Sequence, residues 1–89
     1  MANHKSAAKQ ARRDEVRRQR NRTWRSRMRT EMKRFRSLVE SGERDKAQAL
    51  LPATLGLIDR TARAGVIQVN TASRYKSRLQ RALNRGGQA

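Results

Sequence analysis

From Ser6 to Ser41 the chain contains neither glycine nor proline. These two residues are the strongest interrupters of regular backbone, so the stretch permits one unbroken helix, on the order of 50 Å long at ~1.5 Å per residue. Gly42 suits its C-terminal end, because a left-handed residue costs glycine nothing. Asp45, followed three residues later by Gln48, has the spacing of a capping box and predicts the next helix start. That helix should end near Gly65. Asn70 or Thr71 can cap a third, running to Gly86 and Gly87. The expectation is a single all-α domain over residues 1–89, with helices at about 6–41, 45–64 and 70–85. The first helix is the longest and extends beyond the core.

Apolar spacing favours helices over strands. Trp24, Met28, Met32, Phe35 and Val39 recur three or four residues apart and form one stripe. Leu51, Leu55, Ile58 and Ala62 do the same in the second helix; Tyr75, Leu79, Ala82 and Leu83 do so in the third. Val66, Ile67 and Val69 fall in the second loop, where they are expected to plug the end of the bundle. Pro52 is awkward inside the second helix. It either kinks that helix by removing a hydrogen bond or starts a new segment after a separate turn at residues 43–51. Continuous apolar spacing favours the kink. Gly56 adds a second weak point.

Charge then limits the partner. The chain carries 23 Lys and Arg against 7 Asp and Glu, a formal net charge of +16. A polyanion relieves the resulting self-repulsion and gives up condensed counterions on binding. Arginine dominates the cations, and its planar fork of donors fits phosphate. The charge is divided: residues 1–36 are strongly basic, residues 37–60 nearly neutral, and residues 61–89 basic with no acid. Two basic segments thus flank a neutral middle.

Several classes are excluded or disfavoured. Without cysteine there is no disulfide, zinc knuckle or thiol chemistry. No apolar run is long enough for a transmembrane helix or a secretory signal. The Arg-rich start resembles an organellar transit peptide in composition, but Asp14 and Glu15 interrupt it and the pattern runs straight into the core helix. His4 is the sole histidine, and no nucleophile constellation or Gly-rich phosphate loop is present. Glu40, Glu43 and Asp45 cluster at the first turn, where helix capping and a solvated loop explain them better than a metal site. No catalytic residue, cofactor, metal or small-molecule substrate is expected.

The basic residues fall into three groups. Lys9, Arg12, Arg13, Arg17, Arg18 and Arg20 lie where no apolar stripe exists and are read as pointing nearly all round the helix. Such a segment cannot dock on a protein core. It suits a helix enclosed by phosphates, frayed when free and ordered when bound. Arg22, Arg25, Arg29, Lys33 and Arg36 lie opposite the Trp24–Val39 stripe. In the third helix, Arg74, Arg78, Arg81 and Arg85 form one stripe, and Lys76 is read with them as having no acid nearby. Three aromatic residues leave little scope for stacking on splayed bases. Trp24 and Phe35 have core spacing, while the Tyr75 hydroxyl can reach solvent or a phosphate. Recognition should therefore rest on backbone contacts and RNA shape.

The chain also resembles the bacterial small-subunit ribosomal protein S20 family over nearly its whole length. The matching residues are Met1, Ala2 and Asn3; Lys5, Ser6 and Ala7; Asn21; Arg25 and Ser26; and Arg29 and Thr30. They resume at Asp59, Arg60, Ala62, Gly65 and Ile67, and close with Asn70, Ala72, Arg74, Lys76, Ser77, Arg78 and Leu79. The resemblance implies a three-helix bundle with a much longer first helix. It also implies direct binding to 16S ribosomal RNA deep in the body of the small subunit, near its base. It further implies no enzymatic activity, a cytoplasmic, ribosome-associated location and a single copy in the assembly. By matching position, it assigns RNA contacts to Asn3, Lys5, Ser6, Lys9, Asn21, Arg25, Ser26, Arg29 and Thr30. A second patch comprises Asn70, Arg74, Lys76, Ser77 and Arg78. The sequence departs from the family pattern at Thr71, where lysine is frequent, and at His4, where an aliphatic residue is common. Tyr75 replaces a frequent histidine, and Pro52 stands earlier than the family's mid-helix proline.

On the residues alone, a DNA-compacting protein accounts for the charge equally well, although no recognition-helix geometry is evident. A membrane-active basic helix would have only the Trp24–Val39 stripe to use, and two further apolar stripes compete for it.

Overall fold

The computed structural model describes the backbone of residues 2–86 and the side chains of residues 6–85. The expected helix end at Gly87 and the side chains of Asn3, His4 and Lys5 lie outside the described residues. Three helices follow in order: α1 (Ala2–Glu40), α2 (Arg44–Arg63) and α3 (Val69–Gly86). The first is one unbroken helix, as the absence of glycine and proline predicts, and at ~1.5 Å per residue it is about 58 Å long.

Both connections begin with the same turn. Gly42 (φ 80°) and Gly65 (φ 77°) take the left-handed conformation. The Glu43 N–H donates to the Leu38 carbonyl at 2.9 Å and the Gly42 N–H to Val39 at 3.1 Å. Gly65 to Ala62 at 2.9 Å and Val66 to Thr61 at 3.2 Å repeat the pattern. These are Schellman motifs, which satisfy carbonyls that a helix end would otherwise leave unpaired.

The first turn shifts the start of α2. Glu43 ends the α1 motif and at once becomes the N-cap of α2, its carbonyl accepting from Ala47 N–H at 3.0 Å. Asp45 is therefore not the cap but a first-turn acid, where it favours the helix dipole. Glu43 makes no side-chain capping bond, so the expected capping box is absent. The third helix likewise begins earlier than its polar residues suggest. Ala72 N–H bonds the Gln68 carbonyl at 3.0 Å, leaving Asn70 and Thr71 inside the first turn. Val69, expected as part of a plug, is 72% exposed as the first residue of α3. Val66 is buried and Ile67 packs against the core, so those two do close the bundle end.

Pro52 lies inside α2, which runs through it as one helix; no separate segment begins there. Its ring is on the exposed side.

The core is formed by Met28, Met32 and Phe35 of α1, Ala47 and Ile58 of α2, and Ala72, Leu79 and Leu83 of α3. Tyr75 packs against it from the edge. The α2 face differs from the apolar stripe read off the sequence. Leu55 is only half-buried; Leu57 is buried, and Thr54 and Thr61 are fully buried. Burial of threonine is tolerated because each hydroxyl donates to the carbonyl four residues back: Thr54 to Leu50 at 3.1 Å and Thr61 to Leu57 at 2.7 Å. Trp24 also departs from its core assignment. It is half-buried at the edge of the bundle, with the Arg27 guanidinium 5.5 Å above its ring, within cation–π range.

The bundle covers only the second half of α1. Every described side chain from Ser6 to Arg20 is exposed. The molecule measures 68 × 21 × 15 Å with a radius of gyration of 17.9 Å, against ~12 Å for a compact chain of this length. It is a small bundle carrying a bare helical arm.

Candidate nucleic-acid interface

The bare arm is sided, contrary to its reading as basic all round. Successive residues advance by about 100° around a helix. Lys9, Arg12, Arg13, Arg17 and Arg20 therefore fall within an arc of roughly 140°. Arg12, Arg13, Arg17 and Arg20 surround a shallow depression of about 370 Å³ with Val16 among them. The acids lie on the other side, where Glu15 pairs with Arg18 and accepts from Gln19 at 3.3 Å. Asp14 there accepts from Gln10 at 3.2 Å. Among the described arm cations Arg18 alone lies outside the arc, and it alone is held by an acid.

In the second half of α1 a second row of cations lies on the opposite side. Arg22, Arg25, Arg29, Lys33 and Arg36 are all exposed and centre roughly 180° from the arm's arc by the same helical count. Contrary to its reading from spacing, the row lies not opposite the apolar stripe but beside it: Arg29, Lys33 and Arg36 border Met28 and Met32, while the exposed Arg27 and Arg34 lie on the arm's side of the helix. Helix α1 thus presents cations in two directions: the arm's arc, which Arg27 and Arg34 continue, and a second row from Arg22 to Arg36.

Helix α3 extends the second face. Arg29, Lys33 and Arg36 of α1 and Arg78 of α3 line a groove of about 510 Å³ whose apolar part is Met28, Met32 and Tyr75. Leu83 meets Val39 further along, so α1 and α3 run parallel and the groove follows both. Arg74, Arg81 and Arg85 are exposed on α3. Asn70 and, on α1, Ser6, Ser26 and Thr30 are exposed, whereas Ser77 is half-buried.

Two expected contacts have partners within the protein. Lys76 is not free of acids: its Nζ lies 2.8 Å from Asp59 Oδ1 on α2. Sequence spacing alone does not bring these residues together; the packing of α3 on α2 does. The Arg25 guanidinium donates to the Val66 carbonyl at 3.4 Å, tying α1 to the loop that closes the bundle. Asn21 is half-buried where the arm leaves the bundle, and its Oδ1 is shielded with no hydrogen-bond partner among the described residues. Arg27, Arg34 and Arg63 are exposed cations outside the expected set; only the overall charge pointed to them.

Among the described residues no group of three or more His, Asp or Glu side chains is placed to hold a metal ion. Glu43 is engaged by Lys46 at 3.1 Å and Ser41 at 3.2 Å. The Lys46 hydrogen bond and charge, with the Ser41 hydroxyl, hold its carboxyl below the usual range. No described helix is long and apolar enough to cross a membrane.

Known proteins resemble this sequence over most of its length. Residues 2–84 match the family Ribosomal protein S20. The small ribosomal subunit protein bS20 of Desulforapulum autotrophicum is 49% identical over 83 residues, covering 93% of this chain and 99% of the relative. The bS20 proteins of Mycolicibacterium smegmatis and Aquifex aeolicus are each 46% identical over 85 residues, or 96% of this chain, covering 99% and 90% of their own lengths. With its three helices, long first helix and sequence matched over residues 2–84, the chain belongs to the ribosomal protein S20 family.

Proposed function

We propose that this small-subunit ribosomal protein binds directly to 16S ribosomal RNA, as a single copy, and acts there as a structural constituent without a reaction of its own. The observation that carries the reading is the pair of oppositely directed basic faces on α1. One is on an arm with no protein packing; the other runs beside α3. Two faces allow one helix to hold RNA on two sides. The contacts are mainly to phosphate and to the shape of the RNA, since cations far outnumber exposed aromatic surface. Membership of the family places the work in the cytoplasm on the small ribosomal subunit.

Salt dependence tests this directly. Neutralising six to ten phosphates gives a log–log slope of affinity against salt of roughly −4 to −9. A 16S ribosomal RNA transcript should show it and should outcompete duplex DNA of equal length. A flat titration, or preference for the DNA, would overturn the proposal.

A further inference from the structure

Val16 is the one large apolar side chain on the described part of the bare arm, and it is 68% exposed. Arg12 and Arg13 precede it by one turn, Arg17 follows it, and Arg20 lies one turn beyond; the four guanidinium side chains surround it in a single depression. Lys9 shares the arc and no acid does. An apolar centre ringed by cations is more than a phosphate clamp requires, since a phosphate gains nothing from an isopropyl group. It suits a surface that is apolar in the middle and anionic at its margins. A helix face is convex, so that surface must also be shallow. Double-stranded RNA offers both in its minor groove, which is wide and shallow and displays riboses between the two phosphate strands. Its major groove is too deep and narrow to admit side chains.

We infer that the Val16 depression is a seat for the ribose edge of an RNA duplex. Val16 lies against the sugars in the minor groove, and Arg12, Arg13, Arg17 and Arg20 reach the 2′-hydroxyls and the phosphates on either side. The inference rests on the arm's proposed role in RNA binding and adds the groove and the group recognised.

Val16→Ala and Val16→Lys separate this seat from simple charge attraction. Both replacements are better helix formers than valine, so neither weakens the arm as a helix, and Val16 makes no contribution to the core. With a 16S ribosomal RNA transcript as the probe, Val16→Ala should bind about fivefold more weakly than the unaltered chain. Val16→Lys should also bind more weakly, despite its added charge. Because the chain has no cysteine, Val16→Cys provides a unique tether for an iron chelate that generates hydroxyl radicals. Cleavage should fall on both strands of one duplex, facing each other across its minor groove. Tighter binding by Val16→Lys, with a salt slope steeper by about 0.9, would overturn the seat while leaving RNA binding intact. Cleavage confined to single-stranded segments would do the same. Failure of the unaltered chain to bind would remove the functional reading and the seat together.

Discussion

Lys76 Nζ and Asp59 Oδ1 lie 2.8 Å apart and join α3 to α2. Both side chains keep about a third or more of their surface in solvent (33% and 43%), so the pair is worth roughly 0.5 kcal/mol and is sensitive to salt. It also sets Lys76 apart from its basic neighbours. Lys76→Ala should lower the melting temperature slightly and reduce the RNA salt slope by much less than Arg78→Ala, which should reduce it by about 1. Equal slope changes would show that the ion pair opens on binding.

Two glycines should respond to alanine with opposite signs. Gly65 has φ 77° and open space where a methyl group would stand, so alanine there meets no clash, only backbone strain. Gly65→Ala should cost roughly 1–2 kcal/mol. Gly56 lies within α2, also with open space at its Cβ. Gly56→Ala should stabilise the bundle by up to about 1 kcal/mol. Denaturant titrations of the two variants measure both, and a stabilised Gly65→Ala would contradict the left-handed turn.

The arm should be the least protected part of α1. Lys9, Arg13 and Arg17 repeat at intervals of four, and each like-charged pair at that spacing costs about 0.2–0.5 kcal/mol. No tertiary contact offsets this between residues 6 and 20. Amides there should exchange with solvent at least tenfold faster than those of residues 28–39, and the difference should shrink when RNA is added. Uniform protection along α1 in the free protein would refute coupled ordering of the arm.

Glu43 provides an acid-side dependence. Its carboxyl is held below its usual 4.5 by Lys46 and Ser41. The folded state therefore binds this proton less readily than the unfolded state, so the contribution is complete above pH 4.5 and disappears as pH falls through the lowered value. Glu43→Gln should flatten that part of the stability profile. The side chain is exposed to solvent, so the change will be small, and an identical profile for the variant would remove Glu43 as its source.

Much of the fold was legible in periodicity. The Met28, Met32 and Phe35 stripe, the two glycine stops and the third-helix row of Leu79 and Leu83 all appear where spacing put them. What escaped the sequence depended on contacts. Thr54 and Thr61 looked polar, but their hydroxyls are satisfied by their own helix and the residues are buried. Asp45, Asn70 and Thr71 resembled caps, but turn geometry at Gly42 and Gly65 set the helix starts first. At the interface, residue type and charge identified the cations. Neither revealed that Lys76 meets Asp59, or that Arg25 reaches Val66. The sidedness of the arm was available from helical angles alone, yet counting charges without their directions made it look uniform.

The two Schellman turns also bear on timing. Three residues separate α1 from α2 and five separate α2 from α3, so most partners in the bundle are close along the chain. Low contact order of this kind gives folding in microseconds to milliseconds, whereas synthesis adds only about 5–20 residues per second. The bundle is therefore complete in less time than the next residue takes to be added to a growing chain. If the proposed RNA binding holds, slow steps in incorporation into a subunit should belong to the RNA and to the ordering of the arm, not to the folding of the bundle.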